Sequence, residues 1–438
     1  MSFDKARKKL CNRMSETAPT TRLVALDVFR GLTIALMFTV NDPGTWAFIY
    51  DPLEHAHWQG WTPTDFVFPF FLFTVGVAAW FALKKYHDRP TGELYLKIIR
   101  RGITIFFIGL ALNMFINSLS SYHNLRIMGV LQRIGIAYLV GSLICVSFSR
   151  KNVGIIGLVL LFGYWALQYI FGDAIYPYGF WDEHAHKYFG LENNVVTQFD
   201  RFILGASHLY KGYDNIPFDP EGLLSTIPSI VTVIFGYFTG FLIDSRPDRR
   251  ELVKVMFLLG LVLLGIGQLW NFVFPIAKPI WTSSYVVFMA GWCLVINAVL
   301  IYIIDVQGYR AWTKPILVLG MNSMLAFILA GVYVKVISKI KFDSSYETVT
   351  TAYNNQTEPR RIGGYQKLYE DVFCPITTDR QTMLDVKNKV LTRELQPTAW
   401  IQYEAHQKLS SLLFALFTVF LFWCILWIFH KNNIFLKI

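Results

Sequence analysis

Charge, cysteine and repetition are all scarce in this 438-residue sequence, in which Asp, Glu, Lys and Arg together make up 16% and hydrophobic residues 54%. So little charge, with a mean hydropathy of +0.40, excludes a soluble globule of ordinary make-up and points to a surface that faces lipid. The five cysteines, Cys11, Cys145, Cys293, Cys374 and Cys424, have no metal-ligand spacing. They support neither a disulfide framework nor a zinc site and read as small apolar packing residues. No internal repeat or low-complexity tract stands out, which weakens a transporter built from inverted repeats. The first 22 residues are basic and polar, without an apolar core or a small-residue cleavage site, so they do not read as a signal peptide.

What the sequence has in abundance is long apolar runs. Ten approach the ~20 residues needed to cross a hydrocarbon core of ~30 Å: 23–40, 66–83, 102–119, 127–148, 153–170, 222–243, 252–271, 285–304, 315–334 and 409–429. Lipid offers backbone groups no partner, so each run is expected to be helical. The fold class is therefore all-α, a polytopic transmembrane bundle of about ten helices. The segments on the side of the N-terminus carry 22 Lys plus Arg, whereas the short loops on the other side carry 5. That asymmetry predicts cytoplasmic termini. The net charge of +10 then reads as a topogenic signal, and nucleic acid is not an expected partner. The organisation is a basic N-terminus (1–22), a membrane core (23–334) with outer loops at 42–65 and 171–221, an extracytoplasmic loop (335–408), and a last span with its tail (409–438).

The most informative stretch runs from Leu26 to Gly76. Asp27 and Arg30 stand three residues apart on one helical face, close enough to pair. Ionisable groups at that depth normally face a bundle interior or an aqueous cavity. Asn41 and the turn Asp42-Pro43-Gly44 follow, then His55-Ala56-His57-Trp58. A neutral histidine at an interface has a ring nitrogen free to take a proton or attack an acyl group, although a loop histidine is more often a surface or hydrogen-bonding residue. His57 is assigned that ordinary role.

The runs LDVFRG, VNDPG and HAHWQGWTPTDFVFPFFLFTVG resemble the family of heparan-α-glucosaminide N-acetyltransferase, polytopic enzymes that use acetyl-CoA. Further collinear blocks are RIMGVLQRIGIAY (126–138), FDRFILGASHLYKG (199–212), FDPEGLLSTIPSIVTVIFGYFTG (218–240), KPIWTSSYVV (278–287) and PILVLGMNSMLAF (315–327). The resemblance implies that His55 is the active-site histidine, as nucleophile or general base, and that Asn41 is its companion. It implies acetyl-CoA as co-substrate and an amino sugar or related glycan as acceptor. With only 22 residues ahead of the first span, the chain is expected to be a bacterial-type member of an inner membrane, without the luminal domain of the animal enzyme.

Physical chemistry adds the rest of the candidate site. Arg is the preferred partner of a nucleotide phosphate, and Arg30, Arg100, Arg101 and Arg133 lie on the helices; Arg30, Arg101 and Arg133 are assigned to the cofactor. An ion pair with an acid such as Asp27 is the competing explanation for each. On the acceptor side, Asp200, Asp219 and Glu221 supply carboxylates and Trp58 and Trp281 aromatic faces, with Trp46 and Trp61 as further faces. The acids before the 222–243 span also suit a helix N-terminus, and Lys278 serves either as an interface anchor or as an anion contact. No metal is expected. The partners are acetyl-CoA, the glycan acceptor and the bilayer, and a homodimer is an admissible assembly. Two rival functions stay open: a transporter or channel for a small anion along Asp27, Arg30, Gln132 and Arg133, and O-acylation of an envelope polysaccharide.

Overall fold

Apolar segments become the helices of this protein, and some of them begin at a capping side chain. The computed structural model describes residues 23–86, 91–115, 119–350, 357–379, 381–382 and 397–436, so the basic segment 1–22 and parts of the 335–408 loop lie outside it. The main helices are α1 (Val24–Asn41), α2 (Val67–Leu83), α3 (Gly92–Met114), α4 (Val130–Ser147), α5 (Arg150–Phe171), α6 (Val195–Leu204), α7 (Thr226–Ser245), α8 (Arg249–Trp270), α9 (Ser283–Ile301), α10 (Thr313–Met321) and α11 (Ser323–Lys339). Two short helices, α12 (Gly364–Leu368) and α13 (Cys374–Thr377), precede the long α14 (Pro397–Lys431). Ser149 caps α5, Asp248 caps α8 and Thr282 caps α9, each side-chain oxygen accepting a first-turn N–H.

Among the described residues, eight helices are long and apolar enough to span a membrane, or nine if α10 and α11, bent by 74° at Asn322, count as one. The expectation of ten spans is therefore met at eight or nine by length and composition. The shortfall is α3, whose first half carries Lys97, Arg100 and Arg101 and leaves too short an apolar remainder.

Burial sorts the helices. The window of α7 is 72% buried inside the protein and that of α8 only 22%, so α7 is central and α8 turns most of its surface outward. Without a hydrophobic drive between helices in lipid, close packing needs small residues. A Cβ on Gly76 of α2 would collide with the Val233 carbonyl of α7, and one on Gly236 with the Phe73 carbonyl of α2. Gly31 and Gly320 bring α1 and α10 together in the same way.

The fold is not purely helical. Within 171–221, β1 (Phe180–Asp182) pairs antiparallel with β2 (Lys187–Phe189) in the register Phe180↔Phe189, Trp181↔Tyr188. Asp182 closes that hairpin by accepting the N–H groups of His184 and Ala185. A second hairpin, β3 (Lys341–Thr350) with β4 (Thr357–Gly363), follows α11. The adjoining segment packs Tyr365, Tyr369 and Phe373 around Phe414 of α14. It ties to the end of α1, where Tyr365 donates to the Pro43 carbonyl at 2.9 Å and the Gly44 N–H to the Ser411 carbonyl at 3.2 Å.

Candidate functional site

One buried carboxylate organises the loop between α1 and α2. The run Thr62-Pro63-Thr64-Asp65 forms a capping box, in which Asp65 Oδ2 accepts the Thr62 N–H at 3.0 Å while Thr62 receives the Asp65 N–H. The same oxygen accepts the Ala56 N–H at 3.2 Å, which folds the His55 end of the loop back onto the start of α2. Oδ1 remains, and it stands 2.7 Å from Nδ1 of His55. A carboxylate only accepts, so Nδ1 carries a hydrogen, and in the neutral ring the lone pair is on Nε2. The Asp65 side chain is 1% exposed and that of His55 43%, so the acid is held inside and the ring is partly open to the surface.

A lysine completes the group. Lys278 Nζ lies 3.0 Å from His55 Nδ1, 3.2 Å from Nε2 and 3.4 Å from Asp65 Oδ1. The turn that presents it is fixed at several points: the Trp281 N–H donates to the Lys278 carbonyl, the Ala277 N–H to Thr282 Oγ1, and the Gly60 N–H to the Ile276 carbonyl. Tyr285 of α9 donates to the Asp65 carbonyl at 2.6 Å. Burial pushes the Lys278 ammonium below its ordinary range, against the opposing pull of Asp65 and Glu221.

Beyond Lys278 lies a second charge cluster. Arg126 grips Asp219 bidentately, with Nε 2.8 Å from Oδ2 and Nη2 2.6 Å from Oδ1; it also pairs with Glu221 and lies over the Tyr210 ring at 5.0 Å. Burial disfavours the charge on Glu221, but Arg126, Arg133 and Lys278 outweigh it and hold the carboxyl below its usual range. Asp200 is fully buried and accepts the Leu223 and Leu224 N–H groups at 3.1 and 3.0 Å. Burial raises its carboxyl to about 7.

Several sequence-derived assignments change here. Trp58 and Trp281 are 2% and 1% exposed, so neither offers a face to a sugar. Trp58 donates to the Tyr178 carbonyl, and Trp281 lies 5.0 Å from the Arg133 guanidinium. Arg133 has no exposed surface and donates to the Gly222 carbonyl and Ser225 Oγ. It braces the turn into α7 and does not line the cavity that holds Arg30 and Arg101. Asp200 and Asp219, both fully buried, are spent on backbone and on Arg126, whereas Glu221 keeps a partly exposed side chain. Asn41 is exposed at the end of α1, while the His55 ring meets Asp65 through Nδ1 and Lys278 through Nε2. His57 stacks on Trp181 at 5.1 Å.

The other two arginines do converge. A cavity of about 290 Å³ between α1, α2, α3, α4, α10 and α11 is lined by Arg30, Arg101 and Thr74, with Phe71, Ile105 and Leu131 among its apolar wall. Arg30 pairs with Asp27 at 3.8 Å, and Arg101 lies over the Tyr138 ring at 4.7 Å. Arg100 is exposed and is not part of the wall. His55 does not line the cavity; Asp65 precedes Phe71 by six residues, about 9 Å along a helix axis. Among the described residues no cluster of His, Cys, Asp or Glu is arranged to hold a metal.

Comparison with known proteins bears on this arrangement. Residues 22–189 match the family model described as heparan-alpha-glucosaminide N-acetyltransferase, catalytic. The heparan-alpha-glucosaminide N-acetyltransferases of Mus musculus and Homo sapiens are each 29% identical to the chain, over 355 and 364 residues. Over these residues the chain is similar to the heparan-alpha-glucosaminide N-acetyltransferase family. The aligned regions cover 70% and 72% of this chain and 53% of each relative, so the chain spans about half the length of the curated relatives it matches. The segment that matches the family model contains Asn41, His55, Asp65, Arg101, Arg126 and Arg133, whereas Asp219, Glu221 and Lys278 lie beyond it. Reading single residues missed Asp65 and Arg126. The four-residue Thr62–Asp65 spacing was the available signal for the first; Arg126 sits in a loop ahead of α4, where a count of helix-borne arginines does not look.

Proposed function

We propose that this protein is a membrane acetyltransferase that moves an acetyl group from acetyl-CoA on the cytoplasmic side to an amino sugar or related glycan on the other side. The observation that carries the reading is the His55–Asp65 contact, which leaves Nε2 as a base or nucleophile at the mouth of the first loop. Similarity to N-acetyltransferases over residues 22–189 and beyond supports the same chemistry.

The nucleotide is assigned to the end of the cavity at Arg30 and Arg101, where two guanidinium groups suit phosphates. From Arg30 to Asn41 is eleven residues of α1, about 16 Å of rise. A pantetheine arm covering that length places its thioester beside the loop that carries His55, with roughly half of a ~30 Å core crossed. Asp65 holds the imidazole tautomer and balances the charge that forms on the ring. Asn41 is assigned to the approaching thioester, and Glu221 to the acceptor amine. Arg126 and Asp219 hold Glu221 in place. The bacterial inner membrane, with both termini in the cytoplasm, is the location that fits the distribution of Lys and Arg.

An anion path along Asp27, Arg30, Gln132 and Arg133 has less support. Gln132 is 1% exposed and donates to the Ile127 carbonyl, and Arg133 is buried against Trp281. Acetyl-CoA should raise the melting temperature of the detergent-purified protein, and in proteoliposomes CoA should be released only when an acceptor amine is present. Solute flux without CoA release would favour the transporter and sink the acetyltransferase.

A further inference from the structure

We propose that Lys278 is a catalytic residue of the acyl transfer, donating a hydrogen bond to the carbonyl oxygen of the acetyl group as that oxygen becomes an oxyanion. The inference rests on the acetyltransferase reading of His55. Its basis is placement: Lys278 Nζ is 3.2 Å from His55 Nε2, the atom that either attacks the acyl carbon or deprotonates the amine attacking it, so the acyl oxygen in either route falls close to its reach.

Geometry supplies the donor, since an amine carries N–H bonds in either protonation state. Asp65 Oδ1 lies 3.4 Å away, and it and Glu221 favour the charged form against the burial and the repulsion of Arg133. A partly buried, pre-placed N–H donor acts more strongly on a developing oxyanion than one in water. In the resting site the Nζ–H groups face Asp65 Oδ1 and the imidazole. On attack they are passed to the carbonyl oxygen, because the ring lone pair is then engaged.

The step balances for direct transfer. The acceptor amine forms the C–N bond, the C=O π pair moves to oxygen under Lys278, and its return breaks the C–S bond, so that CoA departs with the sulfur pair. His55 Nε2 takes the proton lost by the amine and passes it to the thiolate. When the ring itself is the nucleophile, the same oxygen position is used twice, once for each half-reaction.

The test is steady-state kinetics of wild type, K278M, K278R and H55A with acetyl-CoA and glucosamine, alongside melting temperatures. K278M should lose kcat on the order of 100- to 1000-fold while its acetyl-CoA KM and melting temperature hold, and K278R should recover at least tenfold of the loss. If K278M is poorly folded, K278A with added methylammonium replaces it, and saturable recovery of kcat is the expected result. A K278M kcat within threefold of wild type, or a change confined to KM or melting temperature, overturns the inference and leaves the His55 reading intact. Full activity in H55A would instead remove the reading on which the inference rests.

Discussion

His55 Nδ1 and Asp65 Oδ1 stand 2.7 Å apart, joined across ten residues of chain by a loop that closes on the carboxylate. Asp65 does three jobs at once: it caps the turn that starts α2, it pins the Ala56 N–H, and it fixes which ring nitrogen of His55 is free. D65N is therefore expected to reduce kcat by on the order of 100-fold or more, since an amide in that position can favour the wrong tautomer. Steady-state kinetics at saturating acetyl-CoA checks this, and an activity near wild type would remove Asp65 from the mechanism.

The two groups of arginines should separate in binding. R101M should weaken acetyl-CoA binding about tenfold, the loss of roughly 1.4 kcal/mol from one phosphate contact, with little change in melting temperature. R133M should do the reverse, because that guanidinium braces the Gly222 to Ser225 turn and lies over Trp281. Calorimetric titration and thermal melts of both variants give the answer; an equal loss of binding in R133M would return it to the nucleotide site.

Arg126 is expected to matter for stability before it matters for catalysis. Asp219 has no exposed surface, so R126M strands a buried carboxylate, a change that costs about 3–5 kcal/mol. R126K should recover only part, because an ammonium cannot reproduce the two-point grip on Asp219. Urea or thermal unfolding in detergent would measure both, and an R126M protein as stable as wild type would contradict the role given to the cluster.

Asp200 supplies a pH signature. Its folded-state value is raised to about 7 from an ordinary 3.8, so between those values the unfolded chain has released a proton that the folded protein still holds. Stability contributed by this group is therefore present at low pH and falls as pH rises through that window. D200N keeps an oxygen for the Leu223 and Leu224 N–H groups and should flatten this part of the profile, gaining stability relative to wild type at pH 8. Melting temperatures from pH 4 to 9 test it, and an unchanged slope would show that another group sets it.

The opposite end of the cavity has its own latch. Asn322, at the break between α10 and α11, donates to the Ile434 carbonyl at 3.0 Å and accepts the Leu436 N–H at 3.2 Å, and Leu436 lines the cavity beside Arg30 and Arg101. Loss of both bonds in N322A should cost about 1–3 kcal/mol and speed acetyl-CoA association, as read by stopped-flow fluorescence. An unchanged association rate would mean that the tail does not limit access.

Much of the architecture was legible because lipid makes the rule simple: apolar length and helicity go together. That rule failed at α3, where Lys97, Arg100 and Arg101 occupy helical positions that a window starting at Gly102 leaves out, and at Asn322, where one buried amide bends a run that reads as continuous. His55 stood out by its motif, and Arg30 and Arg101, which line one cavity, by the cost of charge at depth. The candidates that the fold buries share a feature. Residue type announces what a side chain could bind, but Trp58, Trp281 and Arg133 are consumed by packing against each other's neighbourhoods, and only the fold reveals that their faces are taken. Lys278 was legible as a cation and not as a neighbour of His55, because the two are 223 positions apart.

The most direct test of the central claim is the acetyl-CoA turnover of H55A, reconstituted in proteoliposomes and assayed with glucosamine on the far side. Transfer in wild type with a loss on the order of 1000-fold in H55A, at unchanged acetyl-CoA binding, is the predicted result. Turnover by H55A at the wild-type rate would contradict it.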